Sequence, residues 1–210
     1  MSLIVKNLEV KVDRFHLKVD EFDVKRGEEV FITGKTGAGK TVFIEALAGF
    51  HKISGGTIMI DGKDITHLPP EKRKMGIVYQ NFHLFPHLNV MKNILFGVKN
   101  YRDSKNFIDF LIREFGIEHI LERDVNSLSG GEKQRVAIVR ALAIKPFVLM
   151  LDEPFSHIDE KTKCRILNIL RQLKDDLGFC MIHVTHDFSV LNGGKHFEMI
   201  NGNLRCIQNV

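Results

Sequence analysis

Residues 34–41 read Gly34-Lys35-Thr36-Gly37-Ala38-Gly39-Lys40-Thr41: a glycine, four residues, then Gly-Lys-Thr. These residue types at this spacing suit a phosphate. Glycines let backbone N–H groups turn inward without Cβ clashes, and a helix starting at the end of the loop adds partial positive charge where phosphate oxygens sit. Lys40 would reach the β- and γ-phosphates of a nucleotide, and the Thr41 hydroxyl would ligate Mg²⁺. Gly34 through Val42 are the candidate nucleotide contacts.

Two further stretches carry chemistry. The apolar run Phe147-Val148-Leu149-Met150-Leu151 ends in Asp152-Glu153-Pro154. Adjacent carboxylates are costly to bury without a cation or proton, so Asp152 would support Mg²⁺ and Glu153 would orient and deprotonate an attacking water. Leu128-Ser129-Gly130-Gly131-Glu132-Lys133-Gln134-Arg135 opens a strongly apolar helix. Ser129 and Glu132 form a capping box that could start any helix. Two glycines in its first turn cost roughly 1 kcal/mol each relative to alanine. The return is close backbone approach, with free N–H groups offered to an anion, a second phosphate-binding helix start.

Weaker candidates sit at other strand ends. Gln80 follows Met75-Gly76-Ile77-Val78-Tyr79, on the side where ligands bind in open α/β sheets, and is a candidate ligand for Mg²⁺ or water. Taken alone, an ordinary strand-end polar residue is the plainer reading. His186, after Cys180-Met181-Ile182-His183-Val184, could hydrogen-bond a γ-phosphate; His183, inside the run, reads as a core histidine. Phe15, or else His16, could stack on adenine, and burial of Phe15 in a core explains it equally well. His83 and His87 are four apart, but Pro86 breaks the helix that would aim both at one metal.

The elements that must position these residues are legible. Val30-Phe31-Ile32 reads as a strand into the loop, and Val42–Ala48 as a helix capped at Gly49. Short alternating runs at 3–5, 8–12 and 15–19 suggest an antiparallel sheet added to the main one. A strand at 57–61, a short charged helix opened by Pro69-Pro70, helices in 90–98, 104–115 (Phe107, Phe110, Leu111, Phe115 at helical spacing) and 160–177, and a hairpin turning at Asn201-Gly202-Asn203 complete the chain. The charged run Glu71-Lys72-Arg73-Lys74 reads as a solvated helix face.

The chain has 210 residues, enough for one large domain or two lobes, and its net charge of +4 argues neither for nor against nucleic acid. Cys164, Cys180 and Cys206 are unpaired in spacing and read as reduced, mostly buried residues of a cytosolic protein. No signal-peptide pattern opens the sequence, and no apolar run approaches the ~20 residues that span a bilayer.

In this order and spacing the motifs resemble the ATP-binding cassette (ABC) ATPase family over nearly the whole chain. The resemblance implies an α/β fold: a P-loop NTPase core with an antiparallel β subdomain (1–80 and 145–210) and an inserted helical subdomain (about 81–144). It assigns Gln80 to the Q-loop, 128–132 to the signature, 147–152 to the Walker B strand, Glu153 to catalysis and His186 to the switch. It implies a head-to-tail homodimer around two Mg²⁺–ATP. Lys40, Thr41, Gln80, Asp152, Glu153 and His186 of one subunit and Ser129, Gly130 and Gly131 of the other would hold each ATP. The loop Ser156-His157-Ile158-Asp159 departs from the usual pattern, where Ala-Leu stands between Ser and Asp, and Asn192-Gly193-Gly194 stands where a helix usually continues. Residues 65–73 and 84–88 look like importer ATPases, the molybdate/tungstate type above all. That implies a peripheral place on the inner face of the membrane, bound to a permease and through it to a solute-binding protein, with no nucleic acid expected. A soluble ABC ATPase, as in iron–sulfur assembly, and an exporter ATPase are the alternatives.

Overall fold

The alternating N-terminal residues fold into one long antiparallel hairpin, β1 (Ser2–Val12) and β2 (Phe15–Lys25), paired from Ser2↔Lys25 to Val12↔Phe15. The two runs expected on either side of Lys6-Asn7 are a single strand. Its inward residues change parity, from Leu3 and Val5 to Leu8 and Val10. A bulge makes this possible: Asn7 has φ 49°, and the pairing with β4 (Ile53–Ile60) shifts register between Lys6 and Glu9.

This computed structural model describes residues 2–155, 158–186 and 194–209. Among them, ten strands form one sheet, ordered β5 (Lys63–Asp64), β4, β1, β2, β10 (Asn203–Asn209), β9 (Lys195–Ile200), β3 (Glu29–Thr33), β8 (Cys180–Val184), β7 (Val148–Asp152) and β6 (Met75–Val78). From β3 to β6 the pairing is parallel, and β9 also runs parallel to β3. The hairpin strands are therefore continuous with the main sheet. They join it through β10, where Asn203 pairs with Lys18 and the Lys18 N–H donates to Gly202 O at 2.7 Å.

Strand β7 shows why the parallel strands read as unbroken apolar runs. Val148 and Met150 point into one core with α1 (Lys40–Ala48) and the hairpin. Leu149 and Leu151 point into the other, with α2 (Val90–Leu95), α3 (Tyr101–Glu114), α4 (Gly130–Ala143) and α5 (Glu160–Leu177). Both faces are covered, so no polar alternation is needed.

Several expectations need correction. The buried stripe of α3 is Ile108, Leu111 and Ile112, with Phe110 38% exposed, because the helix is rotated from the phenylalanine spacing. The helix expected over 90–98 ends at Leu95, and Pro70–Lys72 is a single 3₁₀ turn. Arg73 is buried rather than solvated. Its guanidinium donates to Ala46 O and Leu47 O at 2.9 and 2.8 Å, placing positive charge at the negative end of α1, where Ala46 O also accepts from Gly49 N. Of the cysteines only Cys180 is buried; Cys164 on α5 and Cys206 on β10 are exposed, and all three are free thiols.

Candidate functional site

The loop between β3 and α1 ends at Gly39, whose φ of 106° favours glycine. A Cβ there would also lie 2.5 Å from the Phe15 ring. Helix α1 then starts with no side-chain cap and no acid in its first turn. Its leading N–H groups and positive dipole end are left to a ligand. The Lys40 ammonium, 7% exposed, folds back to donate to Gly34 O at 2.7 Å and Lys35 O at 3.2 Å, which shapes the loop.

The carboxylates expected after β7 stand opposite. Thr41 Oγ1 donates to Asp152 Oδ2 at 2.7 Å, across 111 positions of sequence. Burial pushes the Asp152 carboxyl pKa up, and the charges of Glu153 and Glu45 add to this, against the Thr41 hydrogen bond and Lys40. A carboxylate and a hydroxyl together at a cleft, with the carboxylate short of positive charge, fit a small hard cation such as Mg²⁺. Glu153 has a left-handed φ of 46°, and its N–H donates to Val184 O at 2.9 Å. Its side chain lies between Lys40 Nζ, at 3.9 Å, and His186 Nδ1, at 3.3 Å.

These residues surround a cleft of about 400 Å³ lined by Phe15, Thr36, Gly37, Gly39, Lys40, Thr41, Val42, Gln80, Asp152 and Glu153. Gln80 lies past the end of β6, exposed at the cleft. Phe15 packs between Gly39 and the Gly202 turn, while its neighbour His16 is exposed, with Nε2 3.8 Å from Glu9. Half-buried Phe15 thus touches both the core and the cleft.

Ser129, Gly130 and Gly131 do not line this cleft. The capping box is formed: Glu132 N donates to Ser129 Oγ at 3.4 Å, and Ser129 N and Oγ both donate to Glu132 at 2.8 Å. A Cβ on Gly131 would meet Arg135 at 3.7 Å and Ile158 at 3.9 Å, ordinary contacts. Nothing within the described residues requires glycine there. His183 is buried against Phe31, with Nε2 3.0 Å from Glu29 Oε1 though off the line of a ring N–H hydrogen bond. His83, set aside as a ligand, stacks on Tyr79. Of the departures noted in the sequence, Ser156, His157, Asn192 and Gly193 lie outside the described residues; Asp159 caps α5 by accepting from Thr162 N at 3.0 Å.

Three residues at the site have no counterpart among the sequence candidates: Glu45, Tyr79 and Arg140. The Tyr79 hydroxyl donates to Glu45 Oε1 at 3.2 Å, and burial together with Glu45 raises the phenol pKa above its usual range. One charged residue in the otherwise apolar Val42–Ala48 run was the available signal for Glu45.

Comparison with known proteins agrees with this geometry. Residues 17–156 match the family described as ABC transporter. The molybdate/tungstate import ATP-binding protein WtpC of Thermococcus kodakarensis is 44% identical over 210 residues, covering 97% of this chain and 64% of that protein. WtpC of Archaeoglobus fulgidus is 42% identical, covering 93% and 82%. The spermidine/putrescine import ATP-binding protein PotA of Thermotoga maritima is 43% identical, covering 87% and 51%. The chain spans under two thirds of the Thermococcus relative and 60% of its Pyrococcus abyssi counterpart. Among solved structures, an ATP-binding cassette in a dimeric post-hydrolysis state with ADP and Pi superposes with a TM-score of 0.84 at 26% identity, covering 99% of each chain. A nucleotide-free cassette superposes at 0.85 with 22% identity, covering 100% of this chain and 92% of that one, a likeness of fold. The chain belongs to the ABC transporter family, as an ATP-binding cassette.

Proposed function

We propose that the chain is the ATP-hydrolysing subunit of an ABC importer, working as a dimer around two Mg²⁺–ATP, with an oxyanion such as molybdate or tungstate as the solute. One observation carries the dimer: the glycine-rich start of α4 lies away from the cleft, and nothing among the described residues of its own chain requires a glycine at 131. Facing a second copy, Ser129, Gly130 and Gly131 would meet the ATP held by that copy's phosphate loop.

Within one copy the contacts support the following roles. Residues 34–42 bind the phosphates and Phe15 the adenine. Thr41, Asp152 and Gln80 would hold Mg²⁺ through oxygen, and the ion would supply positive charge to the terminal phosphates. Glu153, held between Lys40 and His186, orients the attacking water and accepts its proton, and His186 hydrogen-bonds the γ-phosphate. Residues 1–80 and 145–210 form the nucleotide-binding unit, and about 81–144 the helical unit that carries the signature.

The relatives named above are import proteins by name, for molybdate/tungstate or spermidine/putrescine, which favours import. No helix among the described residues is long and apolar enough to cross a membrane, so a permease partner would supply the membrane path, with this subunit on its inner face and a solute-binding protein on the other.

Replacing Glu153 by Gln tests the site. The variant retains ATP binding, loses turnover by roughly 10²–10⁴-fold, and accumulates an ATP-bound dimer in sedimentation. Wild-type turnover would remove Glu153 from its role. For the importer, tagged protein from detergent-solubilised membranes of its own host brings down a multi-spanning permease. Recovery with soluble scaffold or assembly partners alone would support the iron–sulfur reading and end this one.

A further inference from the structure

Gln80 is exposed, and among the described residues its side chain makes no hydrogen bond, so its neighbours set its position. After it, the chain turns sharply: Phe82 N donates to Tyr79 O at 3.0 Å, and Phe82 and His83 have φ of 61° and 43°. Before it stands Tyr79, whose ring stacks on His83 at 4.4 Å and whose hydroxyl reaches Glu45 Oε1 at 3.2 Å. Glu45 is four residues after Thr41, on the same face of α1 one turn on. Its second oxygen is also engaged, 2.9 Å from His51 Nε2 just past the helix end. Thr41 and Tyr79 are thus fastened to one rigid helix face.

We propose that Tyr79, anchored by Glu45, is a positioning residue that sets the distance of Gln80 from the Thr41–Asp152 pair, a latch between the phosphate-loop helix and the loop after β6. It rests on the reading of Gln80 as a residue that faces bound Mg²⁺–ATP. Glu45 fixes the hydroxyl, the hydroxyl fixes the start of the loop, and Gln80 follows. Without the latch, Gln80 samples a wider range and meets the reaction less often.

The sequence offers a readout that needs no nucleotide. It contains no tryptophan and two tyrosines, so Tyr101→Phe leaves Tyr79 as the single phenol. A hydrogen bond to a carboxylate quenches phenol fluorescence, so in that background Glu45→Ala raises the emission. Unchanged emission would overturn the latch.

Turnover supplies the second arm. Tyr79→Phe keeps the ring stack and deletes the hydroxyl; loss of one such bond lowers kcat by about 3- to 10-fold with KM for ATP unchanged. Glu45→Ala falls equally, and Glu45→Gln, which keeps an acceptor oxygen, falls less. In a Gln80→Ala protein, Tyr79→Phe has no further effect, because the two act in series. Additive losses, with Gln80→Ala itself impaired, would overturn the latch alone. A fully active Gln80→Ala would overturn the role of Gln80 and the latch with it.

Discussion

Arg140 Nη1 donates to His83 O at 2.7 Å, and Nη2 donates to Phe82 O at 3.0 Å, so one side chain of α4 grips the loop that follows Gln80. The guanidinium also sits 5.3 Å from the centre of the Phe85 ring. The helix capped by Ser129 is therefore tied to that loop. Arg140→Ala removes two charge-assisted bonds and lowers stability in urea by about 2–3 kcal/mol. Arg140→Lys recovers only part of it, since an ammonium cannot fork to both carbonyls.

Gly131→Ala separates folding from dimer chemistry. The added methyl meets only ordinary contacts among the described residues of its own chain, and alanine favours a helix by up to about 1 kcal/mol over glycine. The urea midpoint stays level or rises, while ATP-induced dimerisation and turnover fall at least 10-fold, as judged by sedimentation and phosphate release. Intact turnover would mean that no second copy approaches α4 closely.

Asp152→Asn exchanges stability for function. Burial and the nearby charges of Glu153 and Glu45 disfavour its ionised form, so the neutral amide relieves the fold. The melting temperature of nucleotide-free protein rises, whereas Mg²⁺-dependent turnover drops by roughly 100-fold or more.

Glu29 governs the acid limb of stability. Burial opposes its charge, yet His183 and a two-pronged Arg171 contact, with Nε 3.1 Å from Oε2 and Nη2 3.2 Å from Oε1, outweigh it and hold the pKa below its ordinary 4.5. A depressed folded-state value means the stabilisation is full above about 4.5 and is lost as pH falls through the folded value. Glu29→Gln is less stable than the parent by about 2 kcal/mol at neutral pH, and the gap closes on acidification below that value. A gap independent of pH would place the cost in packing rather than charge.

The site's chemistry was legible in the sequence where it depended on contiguous residues. Gly34–Thr41 and Leu151-Asp152-Glu153 announce themselves because strand, turn and helix are consecutive there. Contacts that tie distant segments left little trace. Arg73 reads as one more charge in a basic run until α1 is laid beside it, and Arg140 as a helix residue until the Phe82–His83 turn comes within reach. The parity change at Asn7 looked like two strands because a bulge breaks the period-two pattern without breaking the strand.

Strand β3 has as its sheet neighbours β8 and β9, which are made from residues 180–184 and 195–200. On a ribosome, the segment leading into the phosphate loop waits through some 150 further residues before either pairing partner exists. Such distant pairings are slow to form and leave an apolar edge uncovered meanwhile. The nucleotide cleft is therefore finished only after β8 and β9 have emerged, and a chain stopped short of β9 would carry the loop sequence without a finished place to hold it.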